Sequence, residues 1–120
     1  MIETDIEKLP IGSSYQRIYT IYALVNRENG KRYIGRTIHP RLRLRNHFST
    51  LNNHKHQNPF LNKDSNCRFG YEILEENVPW KDRRIKEQEY MVKYKTYDPQ
   101  YGYNINDWGM RRYKRELQAQ

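Results

Sequence analysis

The chain has a single cysteine, Cys67, among 120 residues, so an internal disulfide framework and a cysteine-based structural zinc site are both excluded. It has no long hydrophobic run. The longest apolar stretch, Ile18 to Val25, falls far short of the ~20 residues that span a bilayer. Apolar residues are 36% of the chain, below the roughly 45–50% of an average globular protein. Aromatics at 13%, eleven of them tyrosine, make up part of that shortfall and exclude a disordered chain. Met1 opens an acidic stretch with Glu3, Asp5 and Glu7, the wrong charge for a signal peptide, so none is expected. One soluble, cytoplasmic, basic domain with no membrane role is expected.

Acid is absent where it matters most. Between Glu28 and Asp64 there is no Asp or Glu, while Lys31, Arg32, Arg36, Arg41, Arg43, Arg45, Lys55 and Lys63 all fall there. The same window holds all four histidines, His39, His47, His54 and His56. Its charge equals the net +8 of the whole chain, so the remainder is neutral. A basic excess confined to one segment reads as a polyanion-binding surface, with nucleic acid as the default partner. The cations do not oppose an apolar helix stripe, which argues against a membrane surface. The histidine spacing matches no ordered zinc-ligand pair.

The local pattern gives an α+β order. Residues 1–16, with Pro10, Gly12, Ser13 and Ser14, read as a loosely held lead-in. Ile18 to Asn26 alternates as a strand, Asn29-Gly30 signals a two-residue hairpin turn, and Lys31 to Thr37 returns. Counting from that turn pairs Glu28 with Lys31, Asn26 with Tyr33, Leu24 with Gly35 and Tyr22 with Thr37. One face then carries Ile21, Ala23, Val25 and Ile34. The other carries Tyr22, Tyr33 and Lys31, with a gap left at Gly35 for something to approach.

Pro40 suits the first turn of a helix reaching about Asn52, with Leu44, Phe48 and Leu51 as its buried stripe. Arg43 and His47, four apart, share its flank. A short helical turn at Pro59–Lys63, a strand from Phe69 to Leu74 and a long helix from about Pro79 to Tyr97 follow. On that last wheel, Trp80, Tyr90, Met91, Tyr94 and Tyr97 form an apolar side with Glu87 at its centre. A carboxylate there is costly to bury alone, so it either pairs with Arg or Lys or holds a metal. Residues 109–120 read as a basic tail whose Arg111, Arg112, Lys114 and Arg115 extend the basic surface or are simply solvated.

Thr20-Ile21-Tyr22, ten intervening residues, Tyr33-Ile34-Gly35, and Arg43 ten beyond Tyr33 resemble the GIY-YIG nuclease pattern. His47-Phe48 follows at the family's spacing, and His56 falls where phage intron-encoded members also carry a histidine. Glu87 with Tyr90, Met91 and Tyr94 is similar to the family's acid-bearing helix, and Gly102-Tyr103-Asn104 to its closing GYN. The similarity covers about residues 18–106, the 17–108 domain being nearly the whole fold. Thr20 replaces the first glycine, and Glu89, two beyond Glu87, offers a competing alignment of the acid.

The resemblance implies a small three-stranded antiparallel sheet flanked by helices, and a Mg²⁺- or Mn²⁺-dependent endonuclease acting on double-stranded DNA. It implies Tyr22 as general base, with Tyr33 positioning the water or sharing that role. Arg43 would grip the scissile phosphate, and His47 would bind phosphate or relay a proton. Glu87 would ligate one divalent cation. A phenol with pKa about 10 is a poor base, and lowering it by three units corresponds to about 4 kcal/mol; Lys31, Arg43 and a metal-bound water are the expected sources. Arg36, Arg41, Arg45, Lys55, His56 and Asn104 are expected DNA contacts. The rival is a basic nucleic-acid-binding module without catalysis. Homing, phage or small restriction nuclease, and two copies meeting transiently on DNA, are left open.

Overall fold

The computed structural model describes residues 4–13, 15 and 17–119. Its centre is a three-stranded antiparallel sheet: β1 (Ile18–Asn26), β2 (Arg32–Thr37) and β3 (Phe69–Pro79), in the order β2-β1-β3. Helices α1 (Pro40–Asn52) and α2 (Pro59–Lys63) serve one face, and α3 (Arg83–Tyr94) and α4 (Asp107–Ala119) the other. The fold is α+β. Covered on both faces, β1 is apolar without interruption from Ile21 to Val25. Tyr22 and Leu24 pack with Leu44, Phe48, Leu51, Leu61 and Phe69, whereas Ile21, Ala23 and Val25 pack with Ile34, Val78 and Met91.

The hairpin turn is wider than the two residues expected. The Asn26 amide donates to the Lys31 carbonyl at 2.9 Å, and the Gly30 amide to the Asn26 carbonyl at 2.8 Å. Gly30 takes a positive φ of 79° and Asn29 does not. Side-chain oxygens explain this: Asn26 Oδ1 accepts from the Glu28 amide, and Asn29 Oδ1 from the Lys31 amide, both at 2.9 Å. These side-chain-to-backbone bonds hold a four-residue loop. The pairs are therefore Tyr22 with Gly35, Leu24 with Tyr33 and Val25 with Arg32. The slip is two residues, an even number, so each side chain keeps its expected face.

Three further expectations change. β3 runs on to Pro79, through a register break against β1 and a left-handed Asn77 (φ 60°). The helix expected over 79–97 becomes a 3₁₀ turn at Trp80–Asp82 followed by α3, which stops where Lys95 turns left-handed (φ 54°). The lead-in is not loose. A 3₁₀ turn at Thr4–Lys8 buries Ile6 to 2% exposure against the α1 core, and the Arg41 Nε donates to the Leu9 carbonyl at 3.0 Å. Residues 1–3, 14 and 16 of that lead-in lie outside the described residues.

The C-terminal segment read as a tail is, through residue 119, the body of α4; residue 120 lies outside the described residues. The Tyr97 hydroxyl donates to Glu116 at 2.6 Å, and Trp108 meets Tyr97 edge-on with centroids 6.4 Å apart. Just before α4 the chain runs parallel along the outer edge of β2, bridging Arg32 to Gly102. There Asn104 acts like a strand residue. Its Oδ1 accepts from the Ile34 amide at 2.8 Å and its Nδ2 donates to the Ile34 carbonyl at 2.9 Å. The open edge of the sheet is closed in this way.

Candidate active site

Strand β1 presents Tyr22 and strand β2 presents Tyr33 to the face covered by α1. A Cβ at residue 35 would overlap the Tyr22 hydroxyl and ring. The gap expected at Gly35 is thus filled by the Tyr22 phenol itself, which only glycine admits. On α1, burial of Leu44, Phe48 and Leu51 turns Arg43 and His47 toward the phenols. Tyr22 is 1% exposed and its Oη lies 2.7 Å from His47 Nε2. His47 Nδ1 in turn lies 2.8 Å from His56 Nε2.

Electrostatics here run against the sequence expectation. Burial pushes both phenols above the ordinary tyrosine value. Hydrogen bonds and opposite charge from Arg43 pull both down, but desolvation wins. Lys31 does not help. It sits at the turn, four residues from Gly35 and so about 13 Å along the strand, with its ammonium 6.0 Å from the Tyr103 ring. Burial, then the neighbouring Arg43 and His56, push His47 down to about 3. The same burial and Arg43 lower His56, so both imidazoles are neutral near pH 7.

Glu87 comes from α3, on the opposite face of the sheet. Because β2 is a narrow edge strand, the two sides are close there. The Glu87 charge raises both Tyr22 and Tyr33. Its side chain is only 18% exposed, and its Oε1 accepts from Arg36 Nη1 at 2.6 Å. Arg36 is therefore a partner of the acid rather than an open phosphate contact. Burial nevertheless raises the Glu87 carboxyl more than Arg36 lowers it. Glu89 is different: more than half exposed, it lies 3.8 Å from Lys86 on the surface.

The donor set fits one hard divalent cation. No group of three His, Cys, Asp or Glu side chains is poised for a metal among the described residues. Glu87 Oε2 has no hydrogen-bond partner among the described residues, and its buried charge is only partly balanced. Mg²⁺ needs no more from protein, since it keeps several waters and takes phosphate oxygens.

A cavity of about 280 Å³ opens beside His47, lined by Arg43, Lys55, His56 and Gln57 among others. Lys55 and His56 thus join Arg43 at one surface. Arg41 and Arg45 do not: Arg41 is bound to the Leu9 carbonyl, and Arg45 Nη2 pairs with Glu7 at 2.6 Å. Asn104, expected on DNA, is 5% exposed and fully engaged with Ile34, so its role is to hold the edge of β2. Two residues outside the sequence motif, Asn58 and Asn62, support the site. The Asn58 amide donates to His56 Nδ1 at 3.0 Å, and Asn62 Oδ1 accepts from the His56 amide at 3.0 Å. Asn58-Pro59 was readable as a helix cap, since its Oδ1 accepts from the Phe60 and Leu61 amides.

Residues 18–104 match the family profile of the GIY-YIG catalytic domain. The chain belongs to the GIY-YIG family. Among solved structures, it is similar to a glutamate-to-alanine variant of the catalytic domain of the intron endonuclease I-TevI, at 28% identity and a TM-score of 0.64. That likeness covers 75% of this chain and 95% of the other. No curated protein sequence matches it. As a GIY-YIG domain with this structural likeness, the protein is a nuclease, of a family generally dependent on divalent metal. The lead-in before residue 18 and all of α4 lie outside the matched span. No helix among the described residues is long and apolar enough to cross a membrane.

Proposed function

We propose that this GIY-YIG protein is a DNA endonuclease that hydrolyses phosphodiester bonds with Mg²⁺ or Mn²⁺ held by Glu87. The observation that carries the reading is the gathering of Tyr22 and Tyr33 against His47, one helical turn from Arg43, where both phenols feel the Glu87 charge. Arg43 is exposed, so its guanidinium lies beside the phenols and still faces the cavity. A planar fork suits two phosphate oxygens, which Lys cannot reproduce. Tyr22 first loses its own proton to water on the substrate side and, as phenolate, accepts the proton of the attacking water, which Tyr33 orients. Burial makes the Tyr22 phenolate a strong base once it forms, and Arg43 stabilises it. The cation supplies charge neutralisation at the phosphate and leaving oxygen. Lys55 contacts the backbone of double-stranded DNA beside the scissile group, whereas both ring nitrogens of His56 are already engaged within the protein.

A supercoiled plasmid tests this reading. Incubated with the protein and Mg²⁺ it should be nicked or linearised, and with EDTA it should survive. A plasmid that is bound but uncut in both tubes contradicts it and favours a binding module.

A further inference from the structure

We propose that His56, held by the backbone amide of Asn58, fixes the direction of the hydrogen bonds through His47, making His47 a standing donor to the Tyr22 oxygen and not an acceptor of its proton. The proposal rests on the reading of Tyr22 as the reacting phenol. A backbone N–H can only donate, so His56 Nδ1, 3.0 Å from the Asn58 amide, is the acceptor. A neutral imidazole carries one proton, which in His56 must then sit on Nε2. That Nε2–H points at His47 Nδ1, 2.8 Å away, and makes it the acceptor in turn. His47 is left with its proton on Nε2, 2.7 Å from Tyr22 Oη. The hydrogen bond at one ring nitrogen thus sets the state of the other, twice in succession.

The geometry leaves little room for the opposite arrangement. The two rings are 7° from coplanar with centroids 5.1 Å apart, so they meet edge to edge and the N–H lies along the partner's lone pair. Reversing the chain would set a His56 Nδ1–H against the Asn58 N–H. Asn58 cannot turn away, because its Oδ1 accepts from two amides of α2 and its Nδ2 donates to the Tyr103 carbonyl at 2.9 Å. The His56 amide is anchored in its turn by Asn62. The Arg43 guanidinium also lies beside Tyr22, and a guanidinium is a pure donor. Only donors, the His47 ring and the Arg43 guanidinium, thus face the Tyr22 oxygen. The Tyr22 proton, when present, turns away from His47 and is exchanged on the substrate side. His56 is a positioning residue in this scheme, acting through His47.

Long-range ¹H–¹⁵N spectra of the histidine-labelled wild-type protein near pH 7 test the scheme without DNA. Both His47 and His56 should appear as neutral Nε2–H tautomers. An Nδ1–H tautomer at either ring overturns the proposal, whether or not the protein cleaves. In His56→Ala, His47 should populate both tautomers. The single-turnover cleavage rate should fall about 10- to 100-fold, the usual loss when the partner orienting a functional histidine is removed, with DNA affinity unchanged. A His47 that stays wholly Nε2–H in that variant overturns the role given to His56. Expected tautomers in a protein that cuts no DNA would instead break the nuclease reading alone.

Discussion

Arg43 lies beside two phenols that burial has made hard to ionise, and it borders the cavity where a phosphate would sit. Its removal should therefore act twice, on the phosphate and on the phenols. Arg43→Ala should lower single-turnover cleavage by about 10²–10³, the loss of one preorganised donor at developing charge. Arg43→Lys should recover little of it, because a point charge cannot bridge both phenols and two phosphate oxygens. His47 gives a pH prediction. Its folded pKa of about 3 lies below the unfolded 6.5, so the unfolded chain binds more protons between those values. Stability is complete above about pH 7 and falls as pH drops; at pH 5 the loss is about 2 kcal/mol. Urea unfolding at pH 7 and 5 should show it, and His47→Asn should flatten the difference. The sequence showed which side chains gather here, since spacing marks Tyr22, Tyr33, Arg43 and His47. It did not show that burial raises the phenols, because desolvation depends on what α1 and the sheet cover.

Among the elements, the strand faces were legible and the turn was not. Alternation sorted Ile21, Ala23 and Val25 from Tyr22 and Leu24, and that parity survived a two-residue slip. The slip came from Asn26 and Asn29 bonding nearby amides, a local competition that a turn signature alone does not rank. Glu87 at the centre of an apolar helix side was legible as a paired or metal-holding acid, but Arg36 as its partner required the fold. Asn104 was misjudged for a related reason: a polar residue in a closing motif looks like a contact until its burial is known. Asn104→Ala leaves the Ile34 amide and carbonyl buried without partners. It should destabilise the protein by about 2–4 kcal/mol, measured by denaturant unfolding, with the salt dependence of DNA binding unchanged. A drop in the salt slope without loss of stability would return Asn104 to the DNA surface.

For the molecule as a whole, the acid-free window supplies the cations, but the fold ties several of them to its own acids and carbonyls. Arg36 pairs with Glu87, Arg41 straps the lead-in and Arg45 meets Glu7. Fewer cations are left for DNA than the count of eight suggests. Lys55→Ala should reduce the slope of log affinity against log salt by about 0.9, one phosphate contact, whereas Arg41→Ala should change stability more than slope. The central claim is that one acid and one guanidinium, from helices on opposite faces of the sheet, act on a single phosphate at the edge of β2. Single-turnover cleavage of plasmid DNA by Glu87→Ala, with Glu89→Ala alongside, tests it most directly. Glu87→Ala should bind DNA and fail to cut it, with Glu89→Ala near the wild-type rate; a Glu87→Ala protein that cleaves at the wild-type rate in Mg²⁺ would contradict the account.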